Sequence, residues 1–67
     1  MTLDQRIALA QRHVDRGRLI IERQRALVAQ DGTPASIGLL KLFEQTQHMF
    51  EMDLADLLKR KAACGPP

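Results

Sequence analysis

The sequence predicts an all-α chain: an antiparallel two-helix hairpin whose open flank is expected to dimerise into a four-helix bundle. Three observations predict it. Apolar residues recur at alternating spacings of three and four on both sides of Asp31-Gly32-Thr33-Pro34. The two stripes mirror each other about Gly32: Val28 with Ser36, Gln24 with Leu40, Ile21 with Phe43, Gly17 with Gln47, Val14 with Phe50, Ala10 with Leu54, Ile7 with Leu57, and Leu3 with Lys61. Finally, 67 residues with a single cysteine can neither bury a large core nor build a disulfide framework, so a second copy is the expected staple.

Helix 1 is predicted over about 3–30. Thr2 followed three residues later by Gln5 is a capping-box pattern, which satisfies amides that a helix start leaves without partners. The stripe Leu3, Ile7, Ala10, Val14, Gly17, Ile21, Gln24, Val28 is a seam facing another helix. Gly17 is its one weak helix former. The turn falls at 31–33: Gly32 suits a left-handed helix terminus, Thr33 can cap the next helix, and Pro34 fits a first turn where no amide is needed. Helix 2 is predicted over about 34–62, with Leu40, Phe43, Gln47, Phe50, Leu54 and Leu57 on its seam and Lys59-Arg60-Lys61 complementing its C-terminal dipole. A disordered tail is expected at 63–67.

The flanks of the seam differ. On one side Arg18 is expected to face Glu44, Gln11 to face Glu51, and Arg25 to sit beside Ile37, a mostly polar edge. On the other side Ile20 meets Thr46, Leu27 meets Leu39 and His13 meets Asp53, while Leu42 and Met49 widen the apolar arc. Ile20, Leu27, Leu39, Leu42 and Met49 are therefore the expected homodimer interface, with another protein chain as the other occupant. Gln24 and Gln47 interrupt the seam. Each is expected to reach the edge or to hydrogen-bond across the bundle; the functional reading is a polar pocket opened by Gly17 opposite Gln47.

Composition narrows the chemistry. With 45% hydrophobic and 27% charged residues the chain reads as a folded helical protein. No stretch resembles a signal peptide or a membrane span, so a cytoplasmic protein without membrane association is expected. His48 lies one turn from Glu44 and His13 opposite Asp53, but neither spacing matches a metal or catalytic motif, and Cys64 lies beside the terminal Gly-Pro-Pro. No enzyme activity, cofactor or metal is expected. The candidate nucleic-acid face is Arg12, Arg16 and Arg23 on helix 1, interrupted by Asp15 and Glu22; no aromatic residue stands ready to stack on a base, which favours a solvated face.

The run from His13 to Leu27, which includes His13-Val14-Asp15-Arg16-Gly17 and Arg23-Gln24-Arg25, resembles a group of short uncharacterised proteobacterial helical-hairpin proteins frequent among rhizobia. Leu39-Leu40 and Phe43-Glu44-Gln45-Thr46-Gln47 extend the resemblance beyond the turn, which is shorter here. It implies a bacterial origin and a hairpin, and carries no activity. In architecture alone the expected dimer is similar to the small plasmid-copy-control RNA-binding bundle, a likeness of fold that does not fix function.

Overall fold

The computed structural model describes residues 1–64. It contains two helices, α1 (Leu3–Gln30) and α2 (Pro34–Ala63), folded back on each other into a rod of 54 × 17 × 14 Å. At 28 and 30 residues both are far longer than an average globular helix, and each depends on the other for a buried face.

The start of α1 is fixed by its cap. The Thr2 hydroxyl accepts from the Gln5 amide at 3.1 Å, and the Gln5 side chain accepts from the Thr2 amide at 2.8 Å. Two otherwise orphaned donors are thereby satisfied. The helix ends with the Asp31 amide donating to the Leu27 carbonyl at 2.9 Å. Asp31 has φ −151° and ψ 82°, and no residue among those described has a positive φ. The left-handed terminus expected at Gly32 is therefore not formed. The chain reverses with negative φ throughout, Thr33 being extended, and is tied by the Thr33 amide donating to the Asp31 carbonyl at 2.8 Å.

Thr33 caps α2, its hydroxyl accepting from the Ser36 amide at 3.1 Å, with Pro34 at the first helical position. The Ser36 hydroxyl in turn lies 3.2 Å from the Asp31 carbonyl and 3.1 Å from the Thr33 carbonyl. One side chain thus fastens the reversal to the new helix. The helix α2 continues through Ala63, beyond the expected end, with Cys64 as its cap. The remainder of the tail expected at 63–67 lies outside the described residues.

The core is the mirrored seam. Ala10, Val14, Ile21, Leu57, Gln24 and Gln47 are buried. Leu3, Ile7, Gly17, Val28, Ser36, Leu40, Phe43, Phe50 and Leu54 are half-buried, and every other described residue is exposed. Of the sixteen positions read as seam, Lys61 alone lies open; it departs because its ammonium reaches Asp4 at 3.0 Å, joining the two helices at the open end. No helix among the described residues is long and apolar enough to cross a membrane.

Candidate interaction site

The two glutamines of the seam sit where apolar side chains would otherwise meet. Gln24 donates to the Ser36 carbonyl at 2.9 Å, close to the turn. Gln47 donates to the Val14 carbonyl at 2.8 Å and lies 3.4 Å from a Glu51 oxygen. Both bonds cross the hairpin, so each glutamine is a register contact made to backbone. The Gln47 amide oxygen is buried and has no hydrogen-bond partner. A Cβ at Gly17 would fall on that oxygen. The polar pocket considered at Gly17 is consequently filled by the Gln47 side chain itself.

The polar flank differs from its expected pairing, with the partner of Glu44 displaced by two turns of α1. Glu44 pairs with Arg25 at 3.3 Å rather than with Arg18, Gln11 donates to Asp15 at 3.0 Å along its own helix, and Glu51 takes the contact from Gln47. Arg18, Glu22 and His48 line the same shallow groove. Among the described residues no group of three or more His, Cys, Asp and Glu side chains could hold a metal ion.

The other flank carries a cluster of exposed apolar side chains, while Leu19, Ile37, Met52 and Leu58 are exposed elsewhere on the rod. Ile20, Leu27, Leu39, Leu42 and Met49 are all exposed, from 39% at Ile20 to 70% at Met49. Between the helices on this side a notch of about 60 Å³ opens over Gly17, lined by Ile20, Phe43, Thr46 and Phe50. The absence of a side chain at Gly17 therefore shapes both the interior and this flank. Nearer the open end His13 does not bond Asp53 as expected. Its ring stacks on Phe50 instead, with centroids 5.1 Å apart and planes inclined by 18°. Stacking wins because Phe50 is the seam residue beside His13, and a ring covering a half-buried ring removes more apolar surface from water than an exposed ion pair gains. Asp53 lies in the same depression without an ion pair to His13.

Arg12, Arg16 and Arg23 are exposed, and none of them takes part in the ion pairs found among the described residues. Helical geometry places Arg16 and Arg23 beside the Ile20–Leu27 edge, with Arg12 further round the helix. The arginine stripe and the apolar flank are therefore neighbouring surfaces. Sequence reasoning missed the His13–Phe50 stack and the Asp4–Lys61 clasp. The second was legible in principle as opposite charges at the paired ends of the two stripes. Set against protein-family models, curated proteins and solved structures, the chain matches none of them.

Proposed function

We propose that this chain is a small non-enzymatic bacterial interaction or regulatory accessory module of the cytoplasm, working as a homodimeric four-helix bundle. The observation that carries the reading is the exposed flank of Ile20, Leu27, Leu39, Leu42 and Met49 on a hairpin whose core holds four buried apolar residues. A compact monomer of 7.6 kDa has about 4,300 Å² of accessible surface by the usual mass scaling. This hairpin exposes 5365 Å². The excess is of the order of the ~800 Å² that each partner contributes to a standard interface. Burying a Leu- or Ile-sized side chain contributes about 1.5–3 kcal/mol, so covering the flank adds substantially to a domain this small. A second copy supplies that cover with the same self-complementary patch.

Size-exclusion chromatography coupled to light scattering, on untagged protein at low and high salt, tests the reading. A mass twice 7.6 kDa at both salts supports it, and a folded monomer at micromolar concentration overturns it.

The alternative, an RNA-binding bundle, draws support from the exposed guanidinium groups of Arg12, Arg16 and Arg23, which take no part in the ion pairs among the described residues. It requires binding that weakens steeply with salt and is lost when the three become glutamine. Both phenylalanine rings, Phe43 and Phe50, are half-buried in the seam, so recognition would rest on the arginines, through phosphate contacts above all.

A further inference from the structure

We propose that the two hairpins associate with their turns at the same end, each α1 lying along the α2 of its partner about a twofold axis parallel to the rod. This inference rests on the homodimer proposed above and specifies its geometry. The other way of apposing the same faces puts the turns at opposite ends and lays α1 against α1 and α2 against α2. Charge and hydrophobic register both distinguish the two.

The edge of α1 that borders the apolar flank carries Arg6, Arg16 and Arg23 and no carboxylate. The corresponding edge of α2 carries Asp53 and Asp56 against Arg60, one net negative charge. Turns at opposite ends would place the three cations of one α1 beside the three of the other. Turns at the same end place each cationic edge beside an anionic one, with Arg16 and His13 alongside the Asp53 region of the partner. Like charges set beside each other along an interface oppose association and opposite charges favour it, so this difference favours turns at the same end.

Hydrophobic register agrees. Leu27, Ile20, Leu39 and Leu42 lie in the half of the rod nearer the turn and Met49 at its middle, whereas the open half carries Arg6, Asp53, Asp56 and Arg60 with Leu9 as its one large exposed apolar side chain on this face. With turns together, apolar half meets apolar half. Leu27 then lies across from the partner's Leu39, and the stems of Arg16 and Arg23 cover the partner's Met49 and Leu42 while their heads reach water. With turns apart and the rods fully overlapped, Leu27 and Leu39 would press against the charged half instead. Sliding the rods to rematch the apolar halves would forfeit about half of the overlap.

Cys64 is the sole cysteine, exposed at the open end of α2, so a spin label can be attached to the unaltered chain and the distance between the two labels read by double electron–electron resonance. Turns together place the two Cys64 residues diagonally across one end of a bundle with helices 8–10 Å apart, giving label separations of about 20–35 Å. Turns apart place them at opposite ends of the rod, separated by at least the length of α2, about 45 Å at 1.5 Å per residue. A short distance supports the proposal. A long distance in a protein whose mass is dimeric overturns the orientation and leaves the homodimer standing, whereas a monomeric mass with no dipolar coupling overturns both. Labels at Ala35→Cys in a Cys64→Ser background, at the turn end, must also give a short distance.

Discussion

Gly17 has no side chain where the amide of Gln47 needs the room: a Cβ there would coincide with the Gln47 oxygen. This relationship explains why a residue that costs a helix interior roughly 1 kcal/mol relative to alanine stands in the middle of α1. Propensity alone makes Gly17→Ala stabilising. The packing reverses the sign, because Gln47 is 6% exposed and tied to Val14, so its amide cannot swing aside freely. We expect Gly17→Ala to lower the unfolding free energy by about 1–3 kcal/mol, as overpacking does. Gln47→Ala should relieve the clash, so that the double variant shows a coupling above about 0.5 kcal/mol in a double-mutant cycle read by urea denaturation.

The same glutamine carries the one buried unpaired side-chain oxygen among the described residues. Leaving such an acceptor unsatisfied costs about 1–3 kcal/mol, whereas the hydrogen bond its amide nitrogen makes to Val14 is worth about 0.5–1.5 kcal/mol. Gln47→Leu removes both and keeps the volume. It should therefore raise stability by about 1 kcal/mol, visible as a higher urea midpoint. Gln24→Leu should gain less, since no unpaired atom of Gln24 is buried beside its bond to Ser36.

The two ion pairs that cross the hairpin should contribute little. The Arg25–Glu44 side chains are 63% and 45% exposed and Lys61–Asp4 59% and 76%, which leaves both screened by water and salt. Glu44→Gln and Asp4→Asn should each change stability by less than about 0.5 kcal/mol, and the change should vanish in high salt. A shift above 1 kcal/mol for either would show that the pair sets the register of the hairpin.

The seam was legible in the sequence at every position but Lys61, because two helices of this length hide an apolar stripe by facing each other and the stripes mirror each other about the turn. The partners of long polar side chains were not. Arg18, Arg25 and Glu44 line one groove, and which arginine Glu44 meets is decided by the reach and rotamers of long side chains that the seam pattern does not encode. The same holds for His13, whose imidazole could face Asp53 or stack on Phe50 from one backbone position. Gly32 misled for a different reason: glycine permits a left-handed terminus without requiring one, and Asp31, Thr33 and Ser36 close the reversal by hydrogen bonds that need no positive φ. The apolar flank was readable as a surface, since five large side chains at seam-adjacent positions cannot all turn inward.

Thr33 should be the most sensitive position of the turn. Its hydroxyl satisfies the Ser36 amide and also lies 3.0 Å from the Ser36 hydroxyl, which itself reaches back to Asp31. Thr33→Ala removes the cap and loosens that network, and a loss of about 1–2 kcal/mol is expected. Thr33→Ser keeps the acceptor and should lose a few tenths at most. Thermal unfolding followed by circular dichroism separates the two.

The proposed orientation makes charge on one flank matter and on the other not. Asp53→Lys with Asp56→Lys converts the α2 edge to cationic, so each α1 would meet three arginines' worth of like charge on its partner. At low salt the weight-average mass should fall toward that of a monomer. At high salt, where charges separated by more than a few ångströms are screened, the apolar contact of Ile20, Leu27, Leu39 and Leu42 should restore the dimer. Glu22→Lys with Glu44→Lys alters the net charge by the same amount on the opposite flank, in the groove with Arg18 and Arg25. That variant should keep its mass at both salts. If the two double variants dissociate equally, repulsion between whole chains accounts for the effect and the α1–α2 apposition loses its support.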